Sequence, residues 1–154
     1  ADWQRTLDVN LTGSFLTVKP ALSGMIKRKS GRVVFVASTA GLKGYAYVAP
    51  YVASKHGVVG LMRALATEIV KSGVTVNAVC PGFVESDMLE ESVQRIVRTT
   101  GRSVDEARAS LSATNPQGRF IQPDEVAATV LWLCSEAAGS VTGQALSLSG
   151  GETW

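Results

Sequence analysis

The 154 residues are enough for one domain, or part of one, and leave little room for two. With 45% hydrophobic and 18% charged residues the chain can bury a core, and a formal charge of +2 gives no electrostatic reason to expect nucleic acid or an anionic membrane as partner. No apolar run approaches the roughly 18 to 20 residues that span a bilayer and no signal peptide opens the chain, so secreted, collagenous and membrane classes are excluded and a cytoplasmic location is expected.

Residues 2 to about 28 predict one long helix, with Trp3, Leu7, Leu11 and Phe15 four apart, a candidate kink at Pro20 and a basic end at Lys27–Lys29. Because Ala1 stands at the edge of this pattern and is not methionine, a truncated start is expected. The β-branched run 32–37 predicts a strand covered on both faces. A loop from Ser38 to Pro50 leads into a helix from about Tyr51 to Lys71, with Val58, Leu61, Leu65 and Ile69 on one face and Gly73 as its stop. Residues 74–80 form a second buried strand, cut off by Pro81 and Gly82.

Residues 85–119 are polar and charged, which suits a mobile flap of two short helices, one behind Ser86 and one opening with the capping box Ser103 to Glu106. Pro123, Asp124 and Glu125 start a third long helix, and residues 145–149 supply a last strand. Buried strands alternating with helices predict an α/β fold, a doubly wound parallel sheet. Cys80 and Cys134 lie in apolar runs and read as buried, reduced thiols.

Ligands of such sheets bind beyond the carboxyl ends of the strands. Ser38 follows the first strand, and Tyr51 and Lys55 share a helix face at i and i+4. A lysine ammonium beside a phenol favours the phenolate, so the tyrosine can exchange a proton with an alcohol or carbonyl, and the serine hydroxyl can orient the same oxygen. Helix surfaces are rich in lysine, so the pair alone is a weak signal. Tyr45 and Tyr47 read as loop or pocket-lining residues, and His56 as a helix residue without a catalytic role. One histidine and two separated cysteines give no metal-ligand spacing.

The segments at 9–15 (VNLTGSF), 31–41 (GRVVFVASTAG), 50–60 (PYVASKHGVVG), 74–88 (VTVNAVCPGFVESDM), 118–127 (GRFIQPDEVA) and 141–151 (VTGQALSLSGG) follow one another in the order of the short-chain dehydrogenase/reductases. The chain resembles the C-terminal part of that Rossmann-like family over nearly its whole length. The resemblance implies Asn10, Ser38, Tyr51 and Lys55 as the catalytic set, with Asn10 holding a relay water. It also implies that Tyr51 and Lys55, with Pro81, Gly82, Val84 and Ser86, meet an NAD or NADP cofactor. The family usually has threonine where Ser86 stands. It implies a substrate-covering role for residues 87–119 and a homotetramer.

The stretches 49–60 and 76–86 are most similar to 3-oxoacyl thioester reductases and polyketide ketoreductases, which implies a 3-oxoacyl group on a carrier protein or coenzyme A. The family's glycine-rich phosphate loop matches no segment of this sequence; it and the first strands are expected ahead of Ala1. A non-catalytic remnant or binding module, and an epimerase or dehydratase of the broader family, stand as alternatives.

Overall fold

A computed structural model describes residues 2–154. Three parallel strands, β1 (Gly31–Val36), β2 (Val74–Pro81) and β3 (Ala145–Leu148), stand in the order β1-β2-β3. Gly31 pairs with Val74 and Val36 with Val79, while Ala78 pairs with Ala145 and Pro81 with Leu148. All three therefore end together, and the loops behind them share one rim of the sheet. The expected α/β fold with a parallel sheet is present.

The pleat separates two layers. Val74, Val76, Ala78 and Cys80 of β2, with Phe35 and Ala37, join a core with Val18 and Leu22 of α2 (Gly13–Lys27) and with Val58, Val59, Met62, Leu65, Ala66 and Ile69 of α3 (Ala49–Ile69). The alternate residues face the other way, where α6 (Pro123–Cys134) packs on β1 and β2. Buried Asn77 serves the backbone on this side, donating to the Val141 carbonyl at 2.8 Å and accepting from the Gln144 N–H at 3.0 Å.

Three local expectations are corrected. Residues 2–28 are not one regular helix: α1 (Trp3–Leu7) passes through a π-helical turn at Asp8–Thr12 before α2 begins. The stripe of Trp3, Leu7, Leu11 and Phe15 consequently does not reach the main core as one face, and Trp3 and Phe15 remain exposed. β1 meets a helix on each face, as expected, α2 on one side and α6 on the other; it pairs with β2 alone among the described residues, and Val36 at its end is 59% exposed. Cys134 lies on the solvent side of α6, exposed, because Leu133 takes the inward position; Cys80 is buried as expected. Finally, α3 begins at Ala49 with Pro50 in its first turn, so Tyr51 lies inside the helix rather than opening it.

Residues 83–121 form an attached unit with its own small core. Leu89 and Val93 of α4 (Asp87–Thr100) and Ala107 of α5 (Val104–Ser112) are buried, with Phe83, Ile96, Leu111 and Phe120 packed around them. Ser86 and Ser103 cap the two helices, and Glu106 completes the expected box by accepting the Ser103 N–H at 2.8 Å. At the neck, Val84 and Ile121 form a parallel bridge, with Ile121 N–H donating to Phe83 and Glu85 N–H to Ile121. Arg108 pairs with Glu85 and Glu90, tying α5 to this neck. Among the described residues no helix is long and apolar enough to cross a membrane.

Candidate active site

The rim is assembled from backbone groups that β1 and β2 leave at their ends. Lys55 Nζ, half-buried on α3, donates to the Val36 carbonyl at 3.1 Å and lies 5.6 Å from the centre of the Tyr51 ring. Residues i and i+4 share a helix face, so the strand end and the tyrosine hold the ammonium between them. Burial keeps the Lys55 ammonium below the usual lysine value. The same loss of solvent pushes up the Cys80 thiol at the end of β2. The Ala37 N–H, donating to the Val79 carbonyl at 2.8 Å, joins the end of β1 to the end of β2.

Ser38 has extended backbone (φ −176°) and its Oγ accepts the Ala40 N–H at 3.1 Å, capping the short 3-10 turn Thr39–Gly41. The turn is pressed onto α3: a Cβ at Gly41 would stand 2.8 Å from the Lys55 carbonyl oxygen, which only glycine avoids. Ser38 is thereby fixed relative to Lys55. Among the described residues neither the Ser38 hydroxyl nor the Tyr51 hydroxyl spends its proton on another protein group. Both protons remain available to a bound group.

Asn10 enters from the π-helical turn. Its Nδ2 donates to Ser54 Oγ at 3.0 Å, and Ser54 donates to the Tyr51 carbonyl at 2.7 Å. Wide turns of this kind recur at functional positions. Gly57 permits the approach, since a Cβ there would meet Leu11 Cδ2 at 2.7 Å. The structure thus joins Asn10, Ser38, Tyr51 and Lys55 through α3. Ser54, fully buried, is the link that residue-type reasoning missed; its signal was a serine one turn after Tyr51 on the face that meets Asn10.

Pro81 is buried at the end of β2, and Gly82 N–H donates to the Leu148 carbonyl at 3.0 Å. Val84 belongs to the neck bridge. The Ser86 hydroxyl is already engaged, donating to the Val84 carbonyl at 3.0 Å and capping α4. His56 is exposed, its Nδ1–H directed to the Val52 carbonyl at 3.0 Å. Tyr47 is fully exposed with φ +66°. Tyr45 is more than loop lining: its hydroxyl donates to Glu152 Oε1 at 2.6 Å. Burial first, and then the carboxylate, push its phenol well above the usual tyrosine range.

Residues 1–153 match the family described as Enoyl-(Acyl carrier protein) reductase. The chain is 45% identical over 151 residues to a putative ketoacyl reductase of Streptomyces coelicolor, covering 97% of this chain and 58% of that protein. It is 39% identical over 150 residues to a 3-oxoacyl acyl-carrier-protein reductase of Aquifex aeolicus, covering 97% of this chain and 56% of that one. The crystal structure of a tryptophan variant of actinorhodin polyketide ketoreductase with NADPH superposes with a TM-score of 0.93 at 44% identity, over 99% of this chain and 60% of its own. The chain spans less than two thirds of each of these relatives.

Proposed function

Because this chain belongs to the short-chain dehydrogenase/reductase family, we propose that it carries the catalytic half of a nicotinamide-dependent reductase acting on a ketone or its secondary alcohol, with a 3-oxoacyl thioester on a carrier protein or coenzyme A as substrate. One observation carries the reading: two hydroxyls with unspent protons, Ser38 and Tyr51, share the strand-end rim with a half-buried ammonium. The relatives named as ketoacyl and 3-oxoacyl reductases support the substrate class.

The family uses NAD or NADP, and the donor set here suits the nicotinamide end of such a cofactor. Lys55 has three N–H donors and spends one on Val36, leaving two for ribose hydroxyls. Pro81 and Gly82 would form the wall beneath the ring, with Val84 and Ser86 beside the carboxamide. When bound, the cofactor would exchange hydride with the substrate carbon. Tyr51 would give its proton to the carbonyl oxygen, and the Ser38 hydroxyl would donate to the same oxygen and fix its direction. Lys55 would stabilise the phenolate left behind by opposite charge. Asn10 would hold the water that returns a proton toward Tyr51 and Lys55.

Residues 87–119 would cover the acyl chain. Self-association around Asn10 fits the exposed Trp3 of α1, Val9 of the π-helical turn, and Phe15 and Leu16 of α2. The test is oxidation of NADH and NADPH by the full-length gene product with a 3-oxoacyl thioester, against a polyol and a sugar. Turnover with the thioester is expected; its absence, with nucleotide still bound, would remove the assignment.

A further inference from the structure

Glu152 has no part in the family's catalytic set, yet its carboxylate lies among the ends of all three strands. The side chain is only 4% exposed. Oε1 accepts from the Tyr45 hydroxyl at 2.6 Å and from Lys43 Nζ at 2.9 Å, and Oε2 lies 3.4 Å from where a Cβ on Gly82 would stand. A carboxylate so far removed from water is costly unless it is paired and hydrogen-bonded. Both conditions are met by the loop that follows β1. Lys43 also stands 5.0 Å from the centre of the Tyr45 ring, so ammonium, ring and carboxylate form one cluster.

The cluster does not end at Tyr45. Its oxygen lies 2.8 Å from Thr39 Oγ1. With the single phenolic proton on the carboxylate, the Thr39 hydroxyl donates to Tyr45. Thr39 is buried, adjoins Ser38 and opens the turn that the Ser38 side chain caps. Carboxylate, phenol and threonine hydroxyl therefore run as a chain of hydrogen bonds from the C-terminal segment to Thr39, the residue next to the serine.

We infer that Glu152 is a positioning residue, which acts through Tyr45 and Thr39 to hold Ser38 in the orientation its hydroxyl needs at the candidate site. The inference rests on the reductase reading for its effect on turnover, but not for its effect on the loop. Two readouts separate them in the full chain: steady-state kinetics with a 3-oxoacyl thioester, and amide hydrogen exchange at Ala40 and Gly41, whose N–H groups both bond to Ser38. Tyr45→Phe keeps the ring and removes the link, so it serves even where Glu152→Leu fails to fold.

Both variants should lower kcat about tenfold, the scale of one hydrogen bond to a charged group, with nucleotide KM unchanged. Exchange at Ala40 and Gly41 should accelerate to match. The double variant should be no slower than either single one, because the two residues act as one unit. Glu152→Gln, which keeps an acceptor for the phenol, should recover most of the loss. Additive effects, or unchanged exchange at both amides, would overturn the role of Glu152. A full chain that reduces no ketone would instead overturn the reductase reading, and exchange would still decide for or against Glu152.

Discussion

Asn10 and Ser54 are 44 positions apart and meet at 3.0 Å, side chain to side chain, because Gly57 lets the π-helical turn lie against α3. Ser54 passes this contact to the Tyr51 carbonyl. Ser54→Ala is expected to leave the Asn10 amide without its partner and to cost about 1–3 kcal/mol in urea unfolding. An unchanged midpoint would show that Asn10 is held by other means.

Tyr51→Phe removes the transferable proton and keeps the ring. Turnover of the full-length protein should fall by at least about a hundredfold, the scale of a lost general acid, with nucleotide affinity little changed. Lys55→Ala should differ by weakening nucleotide binding as well. Loss of turnover alone in Lys55→Ala would deny the ribose contact, and an active Tyr51→Phe would move the acid elsewhere.

Arg119 grips Glu125 with two hydrogen bonds of 2.7 and 2.8 Å, and the Gln122 N–H adds a third at 2.7 Å. Together they hold the Glu125 carboxyl at about 2, below the ordinary 4.5. A depressed carboxylate stabilises the fold fully above its ordinary value, and that contribution is lost as pH falls toward 2. Glu125→Gln should therefore have a lower Tm than the parent at pH 7, with the gap narrowing from about pH 4.5 downward. The pair is exposed, so added salt should shrink the gap. A gap that ignores pH would show that the charge is irrelevant.

Gly150 has φ +63°, and a Cβ there would lie 1.9 Å from Asn115 Oδ1. Asn115 has little freedom to yield, since it donates to the Arg119 carbonyl and accepts from the Gln117 N–H. Backbone strain and overpacking should together cost Gly150→Ala about 3 kcal/mol or more. Gly60, exposed within α3 with open space around its Cβ position, is the control. There the alanine should stabilise by about 0.5–1 kcal/mol. Equal denaturation midpoints for the two variants would contradict the packing described at Gly150.

The outer edge of β1 carries half-exposed Val33 and Val34 and exposed Val36, an apolar row open to pairing. The 154-residue chain made alone should self-associate and show no saturable binding of NADH or NADPH in calorimetry. A soluble, cooperatively unfolding monomer that binds either nucleotide would refute this.

Strand positions and the Ser38, Tyr51 and Lys55 rim were legible because they depend on short-range patterns: β-branched runs, turn residues and helical spacing. The exposure of Val36 at the end of β1 was not, because it depends on which segments pack beyond the strand, a long-range property. The exposed side of Cys134 was hidden in a helix apolar almost all round, where Leu131, Trp132 and Leu133 offer no clear phase. The link from Glu152 to Tyr45 joins residues 107 positions apart through a loop that has no period to read.

The wide turn at Asp8–Thr12 accommodates one residue more than an α-helical turn, so every position ahead of it is rotated by about 100° about the axis. A single-residue deletion there, ordinarily the most disruptive change to a helix, would yield a more regular one. It would also swing Trp3 to a different side of the helix or pull Asn10 away from Ser54. The irregularity therefore makes chain length in this segment, rather than composition, the quantity on which the register of the site depends.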